Sequence, residues 1–173
     1  MDALSELIRR SQTEVYTLAL RLTGNEEDAR DVVQDTYIRV MKGIRRFRGE
    51  SSISTWLYRV TANTAYSFLQ RNKRHKAQSL HDIEETMPIE GGARPDDEIV
   101  NSELRDRLNA AVADLPPAYR TVVVLKDIYG LPHEEIAEAI GISETACKVR
   151  LFRARRKLRE VLFEGPEKER VAI

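Results

Sequence analysis

The densest chemistry in the chain lies between His133 and Arg159. Lys148, Arg150, Arg153, Arg155, Arg156, Lys157 and Arg159 follow one another with no acid from Lys148 through Arg159. Guanidinium groups pair with phosphate oxygens and present two parallel donors to a guanine edge, so this run has the chemistry of duplex DNA binding. A second basic stretch holds Arg59, Arg71, Lys73, Arg74 and Lys76, with no acid from Ser51 through His81 and with Trp56, Tyr58, Tyr66 and Phe68 interleaved. Bases stack on aromatic faces while cations follow the backbone, so this mixture suits single-stranded or distorted nucleic acid. Core packing is the competing role for each of these aromatics. A third group, Asp28, Asp31, Asp35, Arg39 and Lys42 with Gln34 beside them, recurs at helical spacing. Such a stripe either meets a basic partner surface or faces solvent.

Reaction chemistry is harder to assemble. Glu27, Asp31 and Asp35 share a helical face and could be taken for metal ligands of an enzyme, but no histidine accompanies them. His133-Glu134-Glu135 lacks the second histidine of a zinc-protease motif, and no Gly-rich phosphate loop or nucleophile elbow occurs. The expectation is a protein that is not an enzyme, with no catalytic residue, no metal and no cofactor. Cys147 falls on the inward side of its helix, which favours a small buried apolar residue over a redox switch.

The elements that must position these groups read as helices. Leu4, Leu7, Ile8, Val15, Leu18 and Leu22 recur at the spacing of one buried face, and Thr23-Gly24-Asn25 breaks the pattern. A second helix starts near Glu26, with acids in its first turn, turns Ala29, Val33, Tyr37, Val40 and Ile44 inward, and is expected to end near Phe47 to Gly49. A third runs from about Ser54 to Arg74, with Leu57, Val60, Ala65, Phe68 and Leu69 as core. Between Gln78 and Ser102 acids cluster around Pro88, Gly91-Gly92 and Pro95, a linker composition. A second helical unit begins near Glu103, with Leu104, Leu108, Ala111, Val112 and Leu115 periodic; Pro116-Pro117 then separates it from a helix carrying Val122, Val123, Leu125 and Ile128. His133 to Ile140 makes a short helix, Gly141 a left-handed stop and Ser143 a cap for the next helix, which is a helix-turn-helix. Its second helix packs through Cys147, Leu151, Ala154 and Leu158.

The expected fold is therefore all-α: two small helical domains, residues 1–77 and 103–163, joined by a flexible acidic linker, 78–102, with a tail at 164–173. The 173 residues carry 28 basic and 28 acidic side chains, so net charge gives no hint of a nucleic-acid partner. One cysteine excludes an internal disulfide, and three scattered histidines give no zinc spacing. The first residues, acidic early, do not read as a signal peptide, and no stretch approaches the roughly 20 apolar residues of a membrane span. A cytoplasmic protein without membrane insertion is expected.

Taken in series, Asp28-Ala29-Arg30-Asp31-Val32-Val33-Gln34-Asp35-Thr36-Tyr37, Phe47-Arg48-Gly49-Glu50-Ser51-Ser52, Ser54-Thr55-Trp56-Leu57-Tyr58-Arg59-Val60 with Asn63, Leu115-Pro116-Pro117-Ala118-Tyr119-Arg120, and the helix-turn-helix ending Arg153-Ala154-Arg155-Arg156-Lys157-Leu158 resemble the extracytoplasmic-function sigma factors of bacterial RNA polymerase. The resemblance spans roughly Leu7 to Leu162. It implies that Asp31, Gln34 and Asp35 grip the clamp helices of the largest polymerase subunit. It implies that Gly49, Ser51, Ser52, Ile53, Ser54, Trp56, Arg59, Asn63, Arg71 and Arg74 hold the melted minus-ten element, including an extruded base. Ser143, Glu144, Thr145, Lys148, Arg150, Arg153 and Arg155 would read the minus-thirty-five element. Further implied partners are the flap of the second-largest subunit, promoter DNA and an anti-sigma factor, and the implied role is initiation at promoters of a stress or envelope regulon. The chain departs from the family at Pro132, where a serine cap is common, and at Ser67, where an acid is common. A DNA-binding regulator of another helix-turn-helix type is the rival reading; it leaves the first domain to ligand sensing or dimerisation.

Overall fold

The structure is a computed structural model that describes residues 3–78 and 99–163, with side chains over 3–75 and 102–163. Most of the acidic linker and the tail fall outside the described residues. Every regular element among the described residues is helical.

Helix α1 (Ala3–Thr23) buries Val15, Leu18, Ala19 and Leu22, while Leu4, Leu7 and Ile8 in its first turns stay half-buried. The Asn25 side chain accepts the Asp28 backbone N–H at 2.8 Å and starts α2 (Glu26–Gly43). Such a cap stabilises a helix by about 1 kcal/mol. Helix α2 ends sooner than the periodicity predicts: a tight 3-10 turn, Ile44–Arg46, replaces its last turn. Phe47 then lies 5.4 Å, centroid to centroid, from Trp56. Tightening satisfies terminal carbonyls and redirects the chain, which apolar spacing does not report. Helix α3 (Ile53–Gln78) is capped by Ser52, whose Oγ accepts the Thr55 N–H at 3.1 Å.

The buried face of α2 is displaced from the expected one. Val32 and Thr36 are fully buried beside Ala29 and Val40, whereas Val33, Tyr37 and Ile44 are half-buried. Packed against both α1 and α3, α2 buries a wide arc, and Tyr37 sits at its rim with its hydroxyl 3.1 Å from Ser11 Oγ. On α3 the core is Leu57, Thr61, Ala62, Thr64 and Ala65; Val60, Phe68 and Leu69 are half-buried. Threonine is admitted because its hydroxyl returns to the helix: Thr61 and Thr64 each donate to the carbonyl four residues earlier at 2.8 Å.

The second domain opens with α4 (Ile99–Ala113), which begins ahead of the expected Glu103 and leaves Leu104 and Leu108 exposed. Pro116 and Pro117 start α5 (Pro117–Val123), since proline's fixed φ suits a first turn and its missing N–H costs nothing there. A π-helical turn, Val124–Ile128, continues α5 and widens it. Helices α6 (His133–Ile140) and α7 (Glu144–Phe163) complete the domain around Val122, Leu125, Leu131, Ile136, Cys147 and Leu151. Arg120 is buried among them, and burial pushes its guanidinium down from the ordinary arginine range, with the charge of Asp114 opposing.

The two domains meet. Helix α3 packs against α6 and α5, α1 also touches α5, and the buried apolar residues of both domains join into one cluster. Tyr58 of α3 and Tyr129 after the π turn form an edge-to-face pair with centroids 4.8 Å apart.

Candidate nucleic-acid interface

The helix-turn-helix is built by local geometry. Gly141 adopts φ 70° and ψ 40°, a left-handed conformation costly for residues with a Cβ, and its N–H returns to Ala137 O. Ser143 Oγ accepts the Ala146 N–H at 3.0 Å and caps α7. Pro132 supplies no side-chain cap to α6. Cys147, Leu151, Ala154 and Leu158 are all buried, so the inward stripe lies where the spacing placed it. Burial pushes the Cys147 thiol up, which suppresses the thiolate and fits a packing role.

With that stripe inside, Thr145, Lys148 and Arg153 stand exposed on α7. Lys148 Nζ lies 2.7 Å from Glu144, and its hydrogen bond holds the Glu144 carboxyl below the usual range. Arg155 makes a two-pronged pair with Asp127 of the π turn, so its guanidinium ties α7 to α5. Arg150 is half-buried and donates to the Tyr66 hydroxyl of the other domain at 3.1 Å. Phe152, 70% exposed, and Val149, 42% exposed, were missed by the charge-based reading. The signal was present: once Cys147 and Leu151 define the inside, an aromatic at 152 must face outward.

At the foot of α3 a pocket of about 160 Å³ is lined by Arg46, Phe47, Arg48, Glu50, Ser51, Trp56 and Arg59. Gly49 enters this loop at φ 73°. Ser51, Trp56 and Arg59 were expected here; Arg46, Phe47, Arg48 and Glu50 complete the wall. Trp56 is half-buried and also covers Gly43, where a Cβ would lie 3.4 Å from its ring, so the indole is both floor and packing element. Ser52 is spent on capping, with Ile53 and Ser54 half-buried behind it. Farther along α3, Asn63 accepts from Arg39 at 2.6 Å and donates to the Ala139 carbonyl at 2.7 Å. Arg59 pairs with Glu138. Arg71 lies 3.8 Å from Asp35, and Arg74 is exposed.

On α2, Asp31 and Gln34 are exposed and Asp35 is partly so. Asp28 is drawn into the cap, its carboxylate 2.8 Å from Asn25 Nδ2. Ile38 and Met41 are exposed on the same helix, giving its outer face an apolar component that charge spacing did not show. Among the described residues no group of three or more His, Cys, Asp or Glu side chains is placed to hold a metal ion. No described helix is long and apolar enough to cross a membrane.

Two family models match in the same order as these sites: Sigma-70 region 2 over residues 7–75 and Sigma-70, region 4 over residues 105–158. The chain belongs to the extracytoplasmic-function sigma factors. It is 35% identical over 162 residues to the ECF RNA polymerase sigma factor SigE of Mycolicibacterium smegmatis, covering 94% of this chain and 62% of that protein. It is 31% identical over 170 residues to the ECF RNA polymerase sigma factor SigW of Bacillus subtilis, covering 93% and 89% of the two chains. The fold matches that of the sigma factor RpoE crystallised with the anti-sigma factor NepR from Bartonella quintana, with a TM-score of 0.71 at 21% identity over 94% of this chain and 98% of that one. In this sigma factor the pocket and the polar side of α3 belong to region 2, and the helix-turn-helix belongs to region 4, the DNA-binding part.

Proposed function

We propose that this sigma factor binds core RNA polymerase through Asp31, Gln34 and Asp35 on the outer face of α2, with Ile38 and Met41 adding apolar contact to the clamp helices. The pocket between Arg46 and Arg59 takes an unstacked base of the minus-ten element, and Arg59, Asn63, Arg71 and Arg74 lead the strand along α3. Lys148, Arg150 and Arg153, with Phe152 among them, enter the major groove at the minus-thirty-five element. Ser143, Glu144 and Thr145 approach from the first turn of α7, and Arg155 acts by holding α7 to Asp127. The supporting observation is that one chain carries a walled pocket beside a basic, aromatic helix and also a capped helix with Lys148 and Arg153 turned outward. One suits a flipped base, the other a duplex.

The same reading makes the exposed Leu104 and Leu108 of α4 a landing for the polymerase flap, and gives the chain a protein inhibitor, as the NepR complex records for RpoE. It places the protein in the cytoplasm with its polymerase, assigns it a stress or envelope regulon, and includes no catalytic step. The domains that act are 1–77 and 103–163, with 78–102 threaded between them through the polymerase.

In vitro transcription on fragmented genomic DNA with purified core enzyme tests this, since start sites that depend on the chain define its promoters. Reversing Asp31 and Asp35 to Lys sets like charges across the clamp contact, so core affinity falls about tenfold or more. Unchanged core affinity in the double variant would remove α2 from the polymerase contact.

A further inference from the structure

The outermost line of α7 is apolar although the helix around it is cationic. Successive residues turn by about 100°, so Thr145, Val149 and Phe152 fall on one line, opposite the buried stripe of Cys147, Leu151, Ala154 and Leu158. All three are exposed, Val149 to 42% and Phe152 to 70%. Single exposed apolar residues are common on protein surfaces and call for no explanation. Here two apolar side chains and a threonine methyl stand in line on the second helix of a helix-turn-helix, beginning in its first turn, where such helices meet base edges.

The flanks say what this ridge meets. Lys148 borders it on one side and Arg153 on the other, Arg156 continues it toward the helix end, and no acid lies from Lys148 through Arg159. The complement of that pattern is a groove with anionic walls and an apolar floor. A duplex major groove is such a surface wherever it holds A·T pairs, because phosphates line its edges and each thymine displays a C5 methyl on its floor. We propose that Val149 and Phe152, with the Thr145 methyl beside them, are specificity determinants that read thymine C5 methyls in the upstream promoter element. The inference rests on the promoter reading above and deepens it, by naming the chemical group that the element must display.

The two kinds of group on α7 then divide the work. Cations at the flanks supply attraction that any duplex satisfies, and Lys148 shares its charge with Glu144 at 2.7 Å. The ridge between them gains only where a methyl meets it, so it separates thymine from cytosine at the same place in the groove. Its reach is set by the helix: Val149 lies one turn beyond Thr145 and Phe152 nearly two, so the three side chains span about 10 Å of α7. That length covers about three base pairs at roughly 3.4 Å each. Neither Val149 nor Phe152 belongs to the buried stripe, so each can be replaced without opening the core.

The test uses holoenzyme assembled from the full chain and a promoter fragment whose upstream element has been mapped by transcription with this chain. Each thymine of the element, on either strand, is replaced in turn by deoxyuridine, which keeps the base pair and removes only the C5 methyl. Fluorescence anisotropy at fixed salt gives Kd for each fragment. With the wild-type chain, uridine at one or two thymines within three adjacent base pairs should weaken binding about three- to fivefold, the weight of one buried methyl. Val149→Ser and Phe152→Ala should each weaken binding to the thymine fragment and no longer distinguish uridine at one of those positions, while still distinguishing it at the other. An element without an A·T pair, uridine tolerated at every thymine, or variants that lose affinity equally on thymine and uridine fragments would overturn the methyl reading; the last result would turn the ridge toward a protein instead. In each of those cases the promoter reading survives, since holoenzyme still needs the element. If scrambling the whole element changes neither binding nor transcription, the promoter reading itself fails, and the methyl reading with it.

Discussion

Helices α3 and α7 carry similar chemistry and are presented in opposite ways. Both are long, both are rich in Arg and Lys, and both are started by a serine cap. Helix α7 buries one narrow stripe, from Cys147 to Leu158, and leaves most of its circumference to solvent. Helix α3 is walled by α1 and α2 on one side and by α6 on the other, so Arg59, Asn63 and Tyr66 contact protein. A duplex-reading helix works as a rigid probe entering a groove from outside, whereas on α3 the neighbouring helices take up the side chains Arg59 and Asn63 that are proposed to meet a melted strand. The difference lies in what packs on each helix, and composition alone does not reveal it.

The comparison breaks most severely if α7 can be stripped of cations without consequence. Replacing Lys148, Arg150 and Arg153 together with Ala should lower transcription from a promoter dependent on its upstream element by more than a hundredfold. A good bidentate base contact is worth about 1 to 3 kcal/mol, so losing three contacts costs roughly 3 kcal/mol or more. Because Arg150 also ties region 4 to Tyr66, the single Arg150→Ala chain should lose less than the other two singles. Steady-state transcript yield across the three singles and the triple decides whether α7 is the outward reader.

Asn63→Ala probes the covered helix and should act at a different step. In holoenzyme it removes the polar contact proposed for the melted strand, so open-complex formation should slow by about tenfold, the weight of one hydrogen-bonded base contact. Core affinity should be unchanged, and a premelted template should restore most of the rate. Permanganate footprinting beside a core-binding titration separates the two; failure of the premelted template to rescue would give Asn63 a structural role.

These contrasts follow how legible each region was from its residues. The turn at Gly141, the cap at Ser143 and the stripe through Cys147, Leu151, Ala154 and Leu158 are set by neighbours within a few positions, and all were read from spacing. What escaped depends on partners far along the chain. Asn63 meets a carbonyl 76 residues away, and Arg150 meets a hydroxyl 84 residues away. Thr36, Thr61 and Thr64 are fully buried, although threonine counts as polar in a periodicity reading, and so the inward faces of α2 and α3 were drawn slightly off. The π turn at Val124–Ile128 has no composition signal, yet it carries the Asp127 that Arg155 grips.

A smaller effect sharpens the account of α7. At φ 70° and with nothing within 4 Å of a Cβ added at Gly141, alanine there meets no clash and bears only the left-handed backbone cost. That cost is about 1 to 2 kcal/mol, so Gly141→Ala should lower the urea midpoint of the chain by a corresponding amount. A loss much larger than this would mean that the turn carries packing beyond its backbone conformation.

The smallest expected effect belongs to the contact between the two regions and appears only in alkali. The Tyr58 hydroxyl is pushed up to about 12, first by burial, then by its 3.0 Å hydrogen bond to Glu14 and the charges of Glu14 and Tyr129. Tyr129 is also raised by burial, with Arg21 opposing. An unfolded tyrosine ionises near 10, so the native chain holds these protons more tightly than the unfolded one. The stability they contribute is therefore fully present below about pH 10 and is lost as pH rises toward 12. A phenolate at Tyr58 would sit beside the Glu14 carboxylate and the Tyr129 ring, both of which disfavour it, whereas Arg21 reaches only Tyr129. Tyr58→Phe removes the titrating group and keeps the edge-to-face ring pair. Its stability should fall less steeply than wild type across that window in urea titrations at stepped pH, and the phenolate absorbance of wild type should show a late component that the variant lacks. Equal slopes in the two chains would place Tyr58 in solvent and dissociate α3 from the face that covers it.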